Sequence, residues 1–146
     1  MGRAAQVQAE IQFVMDHKAD CSVAMQALRD GKLPLRVTHN DTKLNNVLLD
    51  KEERKALCVL DLDTVMPGLS LYDFGDSIRF GAATAAEDEP DLSKVSLDID
   101  RFRAFAEGFI PEVASALTEL EIKTLALGAF IMTFELVVRF LDHKLL

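Results

Sequence analysis

The chain has 146 residues, 49% of them hydrophobic and 27% charged, an ordinary composition for one soluble domain. A globule of this size buries roughly 68–70% of its unfolded surface, enough for a real core. The net charge of −8, with no basic patch to offset it, argues against nucleic acid or an anionic membrane as partner, but not against a nucleotide held by magnesium and local dipoles.

The first residues, Met-Gly-Arg-Ala-Ala-Gln, are polar and lack the apolar core of a signal peptide. Residues 3–30 are predicted helical: Val7, Ile11, Val14 and Met15 recur at helical spacing, and Val23, Ala24, Ala27 and Leu28 do so again. Gly31 is the expected C-cap, and Pro34 prevents continuation. Leu35–Thr38 reads as a short strand. Val47–Leu49 and Ala56–Leu60, separated by a charged run, read as a β-hairpin. Asp61–Leu71, with Pro67, Gly68 and Ser70, reads as loop. A helix is expected from Tyr72-Asp73 to about Phe80, then loop over 81–96.

Asp98 or Asp100 is expected to cap a helix carrying Phe102, Phe105, Ala106 and Phe109 that stops at Pro111. Thr118-Glu119-Leu120-Glu121 matches a capping box. The helix it starts is apolar on most of its circumference, so it is expected to be buried and to run to Leu146. Its longest uncharged run, Thr124 to Phe134, has eleven residues, short of the ~20 needed to span a bilayer. Cys21 and Cys58 have no metal-ligand or redox spacing and are expected as buried free thiols in a reducing, cytoplasmic setting. Both termini look like cuts through a larger fold.

The chemistry concentrates in Thr38-His39-Asn40-Asp41-Thr42-Lys43-Leu44-Asn45-Asn46, which reads H-x-D-x-x-x-x-N before an apolar strand. Fifteen residues after Asn46 the second apolar strand ends on Asp61. A base, a metal-binding amide and a metal-binding carboxylate at these separations suit phosphoryl transfer, which needs a hydroxyl held in line, a carboxylate beside it and magnesium on the phosphates. Asp41 takes the position of the base and Lys43 reaches the transferring phosphate as a point charge. Asn46 and Asp61 offer oxygens to Mg²⁺ and its nucleotide, the hairpin bringing the two together. Asp63 has two readings, a further metal contact or a loop cap. His39 is expected to brace the loop by hydrogen bonds.

Asp73-Phe74-Gly75 spells the metal-binding tripeptide of protein kinases, but it follows a Pro/Gly loop and opens a helix. Asp73 is therefore read as a structural carboxylate accepting backbone N–H bonds from the catalytic loop.

These motifs resemble the aminoglycoside phosphotransferase-like branch of the protein-kinase-like superfamily. The runs Leu35–Asn46, Val59–Gly68 and Tyr72–Phe80, with Met132–Glu135, look most like N-acetylhexosamine 1-kinases. The resemblance implies an α+β, mostly α-helical fold over residues 1–146: the C-terminal lobe of a kinase-like protein, with a small β-hairpin carrying the catalytic loop. It implies ATP and Mg²⁺ as cofactors and the anomeric hydroxyl of an N-acetylhexosamine as acceptor. The phosphate-covering lobe of such kinases has no counterpart here. A missing N-terminal lobe is thus the expected partner, self-association through uncovered apolar surface is the alternative, and little activity is expected of the chain alone. Acceptor choice is expected to depend on loops 81–97 and the last helices. Two other readings stand beside this one. The first is a choline-, aminoglycoside- or homoserine-type kinase, kept open by the acidic run Glu87-Asp88-Glu89 with Asp91. The second is a non-catalytic helical interaction module with a vestigial site.

Overall fold

The computed structural model describes residues 3–145, so the expectations for Met1, Gly2 and Leu146 fall outside it. A 3₁₀ turn, Arg3–Gln6, leads into α1, Gln8–Arg29. The helix ends where its sequence says: Gly31 takes φ +68° and lets the N–H groups of Lys32 and Leu33 turn back onto the Ala27 carbonyl. Strand β1, Arg36–Thr38, then delivers the chain to the motif loop and a 3₁₀ turn, Leu44–Asn46.

The hairpin forms as expected from β2, Val47–Leu49, and β3, Ala56–Val59, with Val47 opposite Val59 and a bulge after Leu48. Asp50 builds its turn by accepting the N–H groups of Glu52 and Glu53 at 2.8 Å each. The expectation of loop throughout Asp61–Leu71 needs correction. After a 3₁₀ turn, Leu62–Thr64, the chain forms β4, Met66–Gly68, antiparallel to β1 with Arg36 opposite Gly68 and Thr38 opposite Met66. Pro67 is tolerated because the ribbon has only two strands, both edges. Gly68 is required by its neighbour, since a Cβ there would run into the buried Thr38 hydroxyl.

Helix α2, Ser70–Gly81, begins two residues earlier than the sequence suggests. It supplies the largest share of the core, with Leu71, Phe74, Ile78 and the following Ala82 packed on Leu69, Leu33, Ala24 and Leu125. Phe74 meets Phe102 and Phe109 edge-on at 6.0 and 5.4 Å between ring centres. The 82–98 segment, mostly irregular with a 3₁₀ turn at Leu92–Lys94, leads to α3, Ile99–Val113. Of the two candidate caps, Asp98 is the one used, accepting from the N–H groups of Asp100 and Arg101. Pro111 does not stop α3, which continues to Val113.

Helix α4, Glu119–Leu145, crosses α2 where Gly75 meets Gly128. A Cβ on Gly128 would strike the Leu71 carbonyl, and one on Gly75 the Gly128 backbone. The expectation that α4 is buried holds for Leu125 and Phe134 but not for Leu120, Val138 and Phe140, which are exposed. Counting uncharged residues also understated its apolar length. The helix runs on past Glu135, and Glu119–Lys144 is long and apolar enough to cross a membrane by length and composition. Neither cysteine is buried as expected: Cys21 is partly exposed, and Cys58 on β3 is exposed.

Candidate active site

The loop expected to be catalytic, residues 39–43, hangs between the two ribbons, and α2 fixes it from below. Asp73 in the first turn of α2 accepts the N–H of His39 on Oδ2 and that of Asn40 on Oδ1, both at 2.8 Å. The Thr42 hydroxyl donates to the Asp73 carbonyl at 2.6 Å, and the Ser77 hydroxyl to the Thr42 carbonyl at 3.2 Å. A carboxylate taking two amide hydrogens makes a strong, directional anchor.

The turn between β3 and β4 fixes the loop from the other side. Asn40 sits at φ +61°, a region asparagine tolerates, and its side-chain amide donates to the Thr64 carbonyl at 3.0 Å. The Thr64 hydroxyl donates to the His39 carbonyl at 2.6 Å. His39 spans the gap to the hairpin: Nε2 donates to the Leu60 carbonyl at 2.9 Å, and Nδ1 accepts the Asp41 N–H at 3.3 Å. That pair of partners selects the Nε2-protonated neutral ring.

So held, the loop brings Asp41, Lys43 and Asn46 into contact. Asp41 Oδ2 accepts from Lys43 Nζ and from Asn46 Nδ2, both at 2.8 Å, while Oδ1 accepts no hydrogen bond among the described residues. Partial burial would push the Asp41 carboxyl up. The bonds from Lys43 and Asn46, with the charge of Lys43, outweigh it and hold the group below the usual carboxylate value. The bond to Asp41 in turn raises the Lys43 ammonium, and the charges of Asp61 and Asp76 add to that.

Asn46 is 7% exposed, and its amide nitrogen is committed twice, to the Asp41 carboxylate and to the Asp41 carbonyl at 2.8 Å. Its oxygen accepts no hydrogen bond among the described residues. The Leu60 N–H donates to the Asn46 carbonyl at 2.7 Å, extending the hairpin by one link, and Asp61, the next residue, takes φ +58°. Asp63 stands further along in the 3₁₀ turn, exposed, with no side-chain hydrogen bond or ion pair among the described residues. Among those residues no three His, Cys, Asp or Glu side chains converge as a ready metal cage. An amide oxygen and one carboxylate are a donor set suited to Mg²⁺, which takes one or two protein oxygens and completes its shell with phosphate and water.

Asp41, Lys43 and Asn46, but not Asp61 or Asp63, line a cleft of about 670 Å³, bounded by Val47 and Val59 of the hairpin, Ile78 of α2 with the following Ala82, and Arg101, Phe105 and Phe109 of α3. That α3 forms this wall was not legible in the sequence. Nor was the brace behind β1, where Arg36 binds Glu121 of α4 in a two-pronged pair at 2.9 and 2.8 Å. Glu121 also closes the expected capping box, accepting the Thr118 N–H at 2.7 Å and donating its own N–H to the Thr118 hydroxyl at 3.2 Å. The Arg36 bonds lead in drawing the Glu121 carboxyl down to about 2.

The sequence also matches the model of the phosphotransferase enzyme family (APH) over residues 3–107, from the turn before α1 through the catalytic loop and hairpin into α3. The match spans well over half of the chain and includes every residue of the Asp41–Lys43–Asn46 constellation, so the chain belongs to the phosphotransferase enzyme family.

Proposed function

We propose that this chain carries the catalytic and acceptor half of an ATP- and Mg²⁺-dependent kinase acting on a hydroxyl of a small molecule, with the anomeric hydroxyl of an N-acetylhexosamine as its preferred acceptor. One observation carries the reading: two donors saturate Asp41 Oδ2 and leave Oδ1 open to the cleft. A low-pKa carboxylate with one free oxygen aligns an acceptor hydroxyl and receives its proton as the oxygen attacks phosphorus. Lys43, close enough to bind Asp41, offsets charge on the incoming phosphate. Asn46 Oδ1 and the Asp61 carboxylate would hold magnesium, which neutralises phosphate charge when bound. Asp63 lies inside its turn and makes no side-chain hydrogen bond among the described residues, so it does not cap the turn and would act on the metal only through water. His39 and Asp73 keep the loop in shape.

The amino-sugar assignment rests on the wording of the three motif runs. The acidic run speaks against a cationic acceptor. Glu89 and Asp91 both face Lys94, at 3.7 and 3.5 Å, Asp91 also caps Ser93, and Glu87 faces Arg79 at 3.5 Å, so this charge is largely answered within the chain. The apolar side chains exposed around the hairpin, among them Leu44, Leu48, Leu57 and Leu62, offer a seat for a nucleotide-covering lobe.

Calorimetric titration with ATP tests the reading. Binding heat is expected with Mg²⁺ present and not with EDTA, and Asn46→Ala or Asp61→Ala should weaken it at least tenfold. Equal binding without the metal, or in both variants, would favour a vestigial site in an interaction module.

A further inference from the structure

The cleft that holds Asp41 also has a wall to which phosphoryl transfer itself gives no role. That wall is one face of α3, on which Arg101, Ala104, Phe105 and Phe109 fall at helical spacing. Apart from Arg101 it presents carbon. The cleft's other polar side chains gather on the loop and α2 and are committed there: His39 to the Leu60 carbonyl, Thr42 to that of Asp73, and Ser77 to that of Thr42.

Phe105 is held as a rigid shelf. It stacks on Phe109 with ring centres 5.6 Å apart and planes at 18°, and Phe74 of the core backs the two rings at 5.6 and 5.4 Å. So held, Phe105 is still 36% exposed. The same cleft has room to spare: Ala104 carries only a methyl group, and a Cβ built on Gly81, which also lines it, would meet no atom within 4 Å. Arg101, one helical turn before Phe105, lies 3.2 Å from Asp98 and donates to the Ala83 carbonyl at 3.0 Å, so groups that do not line the cleft answer its charge.

We propose that this face of α3 selects the acceptor. With its reacting hydroxyl at Asp41, the acceptor lays a neutral acyl substituent of acetamido size on Phe105 and into the space that Gly81 and Ala104 leave. A mostly apolar pocket with a few fixed polar groups chooses its ligand by shape and by what it desolvates. An ammonium in that place would lose its water to carbon and stand one turn from the like charge of Arg101, and a carboxylate would lose its water equally. A methyl group against an aromatic ring gains by leaving water. Asp41 and the shelf line one cavity, so a single small molecule reaches both without crossing a wall. Phe105 is a specificity residue in this account and takes no part in the chemistry. That the molecule so held is phosphorylated rests on the phosphotransferase reading, whereas selection of its acyl group does not.

The test is a titration of the 146-residue chain with N-acetylglucosamine, glucosamine and glucose, without metal or nucleotide, followed by amide NMR. Saturable shifts are expected at Gly81, Ala104 and Phe105 as well as Asp41, and N-acetylglucosamine should bind at least about tenfold more tightly than the other two, the ratio one buried methyl group supports. Phe105→Ala should remove most of that preference. Gly81→Leu, at a position with room for the side chain, should exclude N-acetylglucosamine while glucose still binds. Arg103→Ala, outside the cleft, should change neither. Equal affinities for the three sugars, a preference that survives Phe105→Ala, unhindered N-acetylglucosamine in Gly81→Leu, or shifts confined to residues 83–97 would each overturn the assignment. Absence of saturable sugar binding in a chain that still binds ATP with Mg²⁺ would overturn it and leave the phosphotransferase reading standing. Metal-independent ATP binding beside an intact sugar preference would overturn that reading alone.

Discussion

Lys43 governs how Asp41 titrates. With Lys43→Met, the partner that leads in offsetting burial is gone, so the Asp41 carboxyl should rise from below its ordinary value toward or above it. An ¹³C titration of the side-chain carboxyl would register the rise, and an unchanged midpoint would contradict the account. Asp73 is the second lever. Asp73→Asn keeps the shape but sets an N–H₂ against a backbone N–H, losing a charge-assisted bond on the loop. Amide exchange at His39 and Asn40 should accelerate, with a stability loss of roughly 1–3 kcal/mol. Asp73 was legible as a helix-start carboxylate, since it does open α2, but the Pro67-Gly68 turn that supported the reading is in fact strand β4. Asn40 and Thr64 were not legible, since both act through backbone carbonyls that leave no trace in side-chain pattern.

Among the elements, the Glu121–Arg36 pair ties α4 to the strand that feeds the catalytic loop, and its pH dependence has a definite sign. The Glu121 carboxyl lies near 2 in the folded chain against an ordinary 4.5, so its contribution is complete above pH 4.5 and disappears as pH falls toward about 2. The gap in melting temperature between the wild-type chain and Glu121→Gln should narrow over that interval. At neutral pH the variant should lose about 2–3 kcal/mol, less than a fully buried pair because a third of the Arg36 side chain stays in solvent. The α2–α4 crossing is equally specific. Gly128→Ala must push backbone against backbone at Leu71, and thermal melting should show a loss of roughly 1–3 kcal/mol or more. Helix α1, the hairpin and the Thr118–Glu121 box were legible because their signals are local, within a few residues of one another. Strand β4 was hidden because its partner lies about thirty residues upstream, and its Pro and Gly are the residues that ordinarily mark a loop. Pro111 misled for the opposite reason, falling so near the end of α3 that little helix remained to break.

For the whole molecule, the core lies beneath the motif loop while large apolar side chains crowd the surface around the two ribbons, Val37 of β1 reaching 83% exposure. Surface of that kind drives association. Sedimentation velocity should show concentration-dependent self-association that Leu57→Lys with Leu62→Lys suppresses, and a chain that stays monomeric at high concentration would contradict this. The account as a whole turns on where a divalent ion settles. Paramagnetic broadening by Mn²⁺, added with ADP and read across the amide spectrum, locates it directly. The expected centre is the Asn46 side-chain amide with the Leu60 and Asp61 backbone, and Asn46→Ala should erase it. Broadening centred on Asp73 or on residues 87–91, or none above background, would contradict the assignment of this site to phosphoryl transfer.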